Sequence, residues 1–134
     1  MALYYVDFEN VHTGGLNGIE ELCRKDEVYI YCREIDVKRI ERNLMKKNIK
    51  ASVKCKIVDG VTKNALDFEL LSDLFMSKKH DIRIIISKDK GFDAAIRRGI
   101  RNKILCVRRD YIGQCELPLY LEDYGISGKE RIIK

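Results

Sequence analysis

Short apolar runs alternate along the chain with stretches in which apolar residues recur every three or four positions. The runs at residues 3–8, 28–32 and 82–87 are rich in Val, Ile and Tyr, which is typical of buried strands. A similar run at 103–107 predicts another strand. Residues 52–58 alternate apolar with charged or polar side chains, which indicates a half-exposed strand at a sheet edge.

Helical spacing fills the intervals between these strands. Residues 37–48 carry Val37, Ile40 and Leu44 at spacings of three and four, and Asp36 can cap that helix. The other predicted helices cover residues 17–24, 63–77, 91–100 and 115–124, and a last strand is predicted at 130–133.

Strands that alternate with helices form right-handed βαβ units, so the pattern predicts an α/β fold with a parallel sheet flanked by helices. No Pro-rich or Gly/Ser-rich linker interrupts the 134 residues, which predicts a single domain over residues 1–134. In such sheets, ligands bind beyond the carboxyl ends of the strands, where the strand order reverses. We therefore look for chemistry at that edge.

Composition changes this picture only modestly. The net charge of +5 permits a polyanionic partner without requiring one. No apolar run approaches the ~20 residues needed to cross a bilayer, and no signal segment precedes the first strand, so we expect a cytoplasmic protein without a membrane partner. Five cysteines, an odd number without a CxxC pair, indicate free thiols rather than disulfides or zinc ligands.

Acidic residues stand where apolar runs end. Asp7 and Glu9 close the first strand, and Asp89 follows the fourth. If these two strands are neighbours, the carboxylates converge at one edge of the sheet. A third contribution comes from Asp67, which falls near the middle of the apolar arc of helix 63–77.

That arc follows from the helical period of about 100° per residue. It contains Leu66, Phe68, Leu70, Leu71, Leu74 and Phe75. Glu69 and Asp73 fall on the opposite face, where solvent alone accounts for them. Asp67 is therefore the anomalous acid of this helix.

Gathered carboxylates repel one another, and a hard divalent cation between them makes the arrangement favourable. Oxygen ligands favour Mg²⁺ or Mn²⁺, ions that can activate water and stabilise displacement at phosphorus. The candidate metal ligands are Asp7, Glu9, Asp67 and Asp89.

Each acid also has a simpler explanation. Asp89 can cap the helix that starts near residue 90, and Asp93 can complement the dipole of its first turn. Glu9 can be a solvated loop acid, Asp7 a structural strand end, and Asp67 a hydrogen-bond acceptor for nearby backbone. The joint pattern is more specific than any one member.

Three motifs together resemble the PIN-like nuclease superfamily, and its NYN branch in particular. Residues 6–10 (VDFEN) are similar to its opening strand, residues 63–67 (KNALD) to the helix that carries its second Asp, and residues 86–92 (ISKDKGF) to its Ser-x-Asp-x-Asp-Phe turn. Gly91 occupies the place of the family's fourth acid. Asp93 and Glu9 are the candidates to replace it.

The resemblance implies a three-layer α/β/α fold with a central, mainly parallel sheet in the order 3-2-1-4-5. It also implies cleavage of RNA, or sometimes DNA, by metal-activated water. The implied catalytic residues are Asp7, Asp67 and Asp89, with Asp93 assisting. The implied substrate contacts are Asn10 and Ser87, which would orient ligands or phosphate.

Basic side chains fit a nucleic-acid substrate, since they supply salt-sensitive phosphate affinity. The foremost candidates for substrate contact are Arg97, Arg98 and Arg101, which lie on or just after the helix that follows Asp89. The remaining basic candidates are Lys38, Arg39, Arg42, Lys46, Lys47, Arg108 and Arg109. His12 lies close to Asn10 and stays a weaker candidate.

Other functions stay open. Gly91 favours a catalytically weak or inactive PIN-like domain that binds RNA or a protein partner. A homodimer and a regulatory protein partner are both compatible with the sequence. A receiver domain fits worse, because Arg108 and Arg109 stand where it would need a Lys, and a haloacid-dehalogenase-type phosphatase fits worse because the first strand lacks Asp-x-Asp.

Overall fold

The computed structural model describes residues 1–60, 64–78 and 81–114. Its strands pair in the order β3-β2-β1-β4-β5, and every pairing is parallel. The strands are Ala2–Asp7 (β1), Glu27–Cys32 (β2), Ser52–Ile57 (β3), Ile82–Ile86 (β4) and Cys106–Arg109 (β5). The strand order reverses where β1 meets β4, which confirms the predicted topology.

Helices cover both faces of the sheet. The α-helices of the described residues are Phe8–Val11 (α1), Val37–Met45 (α2), Ala65–Met76 (α3) and Asp93–Arg101 (α4). One core cluster joins α1 and α2 to the sheet, and a second cluster on the other face joins α3 and α4 to it. This arrangement confirms the three-layer α/β/α fold.

The central strand β1 explains why the first apolar run is continuous. All six of its residues are buried, because both faces of the strand are covered. Tyr4 and Val6 belong to the cluster with α1 and α2, whereas Leu3 and Tyr5 belong to the cluster with α3 and α4. By this alternation Asp7 points toward α3.

Some predicted elements differ from the observed ones. Residues 17–24 do not form a helix, since Gly18 adopts φ 93° and separates the short 3₁₀ turns His12–Leu16 and Ile19–Glu21. Asp36 does not cap α2, because its carboxylate accepts the Arg33 backbone N–H at 3.2 Å instead.

The remaining element predictions are settled where the structure describes them. β5 begins three residues later than predicted, after Lys103 takes φ 64°. β3 is an edge strand with exposed lysines, as its alternation indicates. The helix predicted at 115–124 and the strand predicted at 130–133 lie outside the described residues.

Two further observations concern composition. The cysteines that the structure describes are free thiols, as predicted, namely Cys23, Cys32, Cys55 and Cys106. Within the described ranges, none of the helices combines the length and the apolar character that crossing a membrane requires.

Candidate active site

An open cleft of about 270 Å³ lies beyond the carboxyl end of β1, at the point where the strand order reverses. Carboxylate and amide side chains from four segments of the chain line it. They are Asp7, Glu9, Asn10, Asn64, Asp67 and Asp89. The cleft therefore gathers oxygen donors from β1, α1, the start of α3 and the turn after β4.

Asp7 is the buried carboxylate of the cleft, with 5% of its surface exposed. Its pKa is raised to about 6: burial is the largest cause, the charges of Asp67 and Glu9 act in the same direction, and hydrogen bonds from Ser87 and the Asn10 backbone act in the opposite direction. The Ser87 hydroxyl donates to Asp7 Oδ2 at 3.0 Å. The hydrogen bonds to Asp7 therefore offset only part of the free-energy cost of burying its negative charge.

Asp67 lies in the first turn of α3 and faces the cleft, as its place in the helical pattern suggests. Burial raises its pKa, and the charges of Asp89 and Glu9 add to that effect. Asp89 and Glu9 are therefore close enough to Asp67 to disfavour its ionisation. Such mutual repulsion is expected where a cation binds.

The predicted apolar arc of α3 is too wide. Leu66, Leu70 and Leu74 are buried, but Phe68 is 75% exposed. The expectation that solvent alone accounts for Asp73 is also wrong, because Asp73 Oδ2 accepts a hydrogen bond of 2.6 Å from the Tyr31 hydroxyl. Acids flank the buried leucine stripe on both sides, and only the Asp67 side opens into the cleft.

Hydrogen bonds to the turn after β4 connect the segments that line the cleft. Ser87 Oγ accepts the Asp89 backbone N–H at 3.1 Å while its hydroxyl donates to Asp7. Asp89 Oδ1 accepts the Gly91 backbone N–H at 2.8 Å, so Asp89 caps the 3₁₀ turn Lys90–Phe92 and lines the cleft as well. Asn10 Oδ1 accepts the Lys88 backbone N–H at 2.8 Å, which links the ends of β1 and β4.

Asp93 does not line the cleft. Its Oδ1 accepts a hydrogen bond of 2.9 Å from Nε of Arg108, a buried side chain that also donates to the Ser87 carbonyl at 3.0 Å. Asp93 therefore pairs with Arg108. It does not replace the fourth acid of the family, whose place in the sequence Gly91 occupies. Arg108 is buried in this ion pair, so it is not accessible to a substrate.

The arginines of α4 are exposed but are not brought to the cleft. α4 begins at the carboxyl edge with Asp93 and runs back along the sheet, so at about 1.5 Å per residue Arg101 lies roughly 12 Å further along the helix. Arg98 and Arg101 occupy its last turn, and Arg97 also lies beyond the first turn.

One residue of the cleft, and one contact beside α1, are not indicated by the sequence pattern. Asn64 lines the cleft directly, and its only signal was its closeness to Asp67 in the KNALD motif. Arg39 lies over the Phe8 ring, with 5.2 Å from its guanidinium carbon to the ring centroid, and its Nη2 is 3.1 Å from His12 Nδ1. The basic pattern of α2 could not indicate which of its cations makes this contact.

The cleft does not contain a preformed chelating cluster. Among the described residues, no group of three or more His, Cys, Asp or Glu side chains is arranged to hold a metal ion. The donors are nonetheless the carboxylate and amide oxygens that hard cations prefer, and the buried charge of Asp7 would be offset by one. The residues therefore fit Mg²⁺ or Mn²⁺, provided that binding draws the carboxylates together.

Comparison with known proteins relates the chain to a protein family. A family model described as the PIN domain matches residues 1–106, a range that contains the six residues named above as lining the cleft. The chain matches no curated protein. It also matches no solved structure.

Proposed function

The chain belongs to the PIN domain family, whose members are generally metal-dependent nucleases, and we propose that it hydrolyses RNA phosphodiester bonds at the acidic cleft. One observation carries this proposal. Asp7 is almost fully buried beside Asp67, and among the described residues no cationic group is one of those that shift its pKa. A buried acid without a neutralising partner is unfavourable unless a cation or a substrate group binds to it, and the switch point of a parallel sheet is where ligands bind.

Asp7, Asp67 and Asp89 would hold the divalent cation, with Glu9 as an additional oxygen donor. When bound, Mg²⁺ or Mn²⁺ supplies activation of water and offsets the charge that develops on the phosphate. Ser87 keeps the Asp7 carboxylate oriented and favours its ionised form. Asn10 holds the two strand ends at a fixed spacing, and the Asn64 amide is available to a substrate oxygen.

The finer assignments rest on motifs and charge. We assign RNA as substrate and the NYN branch on the similarity of residues 6–10 and 86–92 to that branch. Arg39 and His12 provide polar groups next to α1. Arg97, Arg98 and Arg101 would contact phosphates outside the cleft and take no part in the chemistry.

Cleavage of single-stranded and structured RNA with Mn²⁺ tests the proposal. We expect Asp7→Asn and Asp67→Asn each to lower the rate on the order of 100-fold, because each removes a negative charge that would hold the cation that stabilises the reacting phosphate. Glu69→Gln is the matched control, an exposed acid of the same helix outside the cleft. Unchanged activity in both cleft variants would contradict the proposal.

A second candidate is a PIN domain that binds RNA or a protein partner without cutting. It is favoured by Gly91, by the use of Asp93 in holding Arg108, and by the lack of a preformed three-ligand cluster in the described residues. Calorimetry discriminates between the two candidates. Salt-dependent RNA binding without Mn²⁺ binding would favour this candidate over the nuclease.

A further inference from the structure

A second pocket, of about 170 Å³, opens on the same sheet face as the acidic cleft. It lies between the C-terminal half of α3 and the outer strands β2 and β3. Its lining residues are Tyr5, Tyr29, Tyr31, Lys56, Asp73 and Ser77. None of these six residues lines the acidic cleft, so the pocket is a separate feature.

Three tyrosine rings form its base. The ring centroids of Tyr5 and Tyr29 are 5.5 Å apart at 30°, and those of Tyr5 and Tyr31 are 6.4 Å apart at 24°. The Tyr31 hydroxyl donates to Asp73 at 2.6 Å, and the Tyr29 hydroxyl donates to Glu27 at 3.0 Å. These bonds hold the rings in place before any ligand arrives.

The outer side of the pocket is accessible and basic. Tyr5 and Tyr31 are buried, but Tyr29 is only partly buried. The Lys56 ammonium is 5.8 Å from the centroid of the Tyr29 ring. Lys54 is the register partner of Tyr29 on β3, and both lysines are exposed. Core packing accounts for the two buried rings, but it does not account for an accessible ring beside two exposed cations.

The pocket adjoins the acidic cleft. Tyr31 is the register partner of Asp7 across β1 and β2. Asp73 and Asp67 lie on the same helix six residues apart, or roughly 9 Å at the helical rise. A ligand bound in the pocket is therefore within a nucleotide or two of the cleft.

We propose that this pocket binds one base of a single-stranded RNA whose neighbouring phosphate enters the acidic cleft. The base packs against the accessible Tyr29 ring, and Lys56 pairs with its phosphate. Stacking of this kind requires an unpaired base, which selects single strands over duplexes. The second carboxylate oxygen of Asp73, Oδ1, can accept an N–H from the edge of the base. This assignment rests on the proposed nuclease function.

Binding of a fluorescein-labelled single-stranded RNA to the full chain in EDTA, followed by anisotropy, tests the pocket without cleavage. We expect Tyr29→Ala to weaken binding at least about five-fold, whereas Tyr29→Phe keeps the ring and binds as the wild type does. Lys56→Ala should weaken binding and lower the salt dependence by about one phosphate contact. Lys25→Ala is the matched control. It removes an exposed charge just before β2, at the end of that strand opposite the acidic cleft.

Abasic substitution then locates the base. RNAs that lack one base at successive positions should lose affinity for the wild type at one position, and at that position Tyr29→Ala should cost nothing further. Wild-type affinity in Tyr29→Ala, or the same loss with every abasic RNA, would overturn the proposal. Unfolding in urea for Tyr29→Ala and Tyr29→Phe separates loss of the ring from loss of the fold.

The outcomes also separate this pocket from the nuclease proposal. If the wild type cleaves RNA while Tyr29→Ala binds and cleaves normally, only the pocket assignment fails. If Tyr29→Ala weakens binding while Asp7→Asn and Asp67→Asn cleave normally, only the nuclease chemistry fails. If the wild type binds no RNA, both fail.

Discussion

At the scale of single residues, the molecule is defined by one conflict between burial and charge. Asp7 ends a strand that is buried on both faces, and its carboxylate accepts hydrogen bonds, while none of the described cations is among the groups that shift its pKa. The sequence could indicate this residue because an acid at the end of an apolar run is unusual. It could not indicate the hydrogen bond from Ser87, which joins residues eighty positions apart.

This conflict predicts a pH-dependent stability. The pKa of Asp7 is raised from 3.8 to about 6 by burial. Between these values the native state binds more protons than the unfolded state, so the free energy of unfolding falls as the pH rises through that window. We expect Asp7→Asn to be more stable than the wild type at pH 8 by about 3 kcal/mol, and by little at pH 4.

Urea unfolding in EDTA at the two pH values measures this difference. Both proteins should be followed in the same buffers, so that the other titrating groups cancel in the comparison. An equal difference in stability at pH 4 and pH 8 would show that Asp7 is not the source of the effect.

At the scale of elements, the hydrophobic pattern predicted which segments form strands and helices. It was a poorer guide to which face of each element is buried. α3 is apolar nearly all round, so its sequence could not show that Phe68 is exposed while Asp73 reaches Tyr31. The pairing of Asp93 with Arg108 joins α4 to β5, fifteen positions apart, and no local pattern indicates it. These contacts determine which acids reach the cleft.

The turns after α1 offer a test of local packing. Gly18 has φ 93°, and a Cβ built there would lie 2.4 Å from the Cα of Gly113, whose N–H donates to Asn17 at 2.8 Å. We expect Gly18→Ala to lower the free energy of unfolding by about 2–4 kcal/mol, because it adds backbone strain to a clash with backbone. Thermal or urea unfolding measures the loss.

Gly14→Ala is the matched control for this variant. A Cβ at Gly14 meets nothing within 4 Å, and its φ is not in the left-handed region. Its stability should equal that of the wild type or rise slightly, since alanine restricts the unfolded chain. Equal losses in both variants would mean that the packing of residues 18 and 113 does not stabilise the fold.

At the scale of the whole molecule, the sequence was sufficient for the fold class and for the edge at which the acids meet. The alternation of elements predicted the parallel sheet, and the resemblance implied its strand order. The sequence was insufficient for the arrangement of carboxylates within the cleft. That arrangement depends on the repulsion of Asp67 by its acidic neighbours and on the hydrogen bond that Asp89 accepts from the Gly91 N–H, and both act only in the folded chain. It also could not separate arginines near the cleft from those remote from it.

Binding of RNA through basic side chains should be salt-sensitive, and the net charge of +5 is compatible with such binding. If Arg98 and Arg101 contact phosphates, each change to alanine should weaken binding to all sequences alike. Each should also lower the slope of log affinity against log salt by about one. Anisotropy at several salt concentrations measures the slope. A slope equal to that of the wild type in both variants would make these arginines solvated surface only.

The central claim is that Asp7, Asp67 and Asp89 share a divalent cation. Crystals of the full chain soaked in Mn²⁺, with diffraction collected at the manganese edge, test it most directly. We expect an anomalous peak in the cleft between these three carboxylates, and no such peak in Asp7→Asn crystals treated in the same way. A cleft without anomalous density in the wild type, or a peak that persists in Asp7→Asn, would contradict the claim.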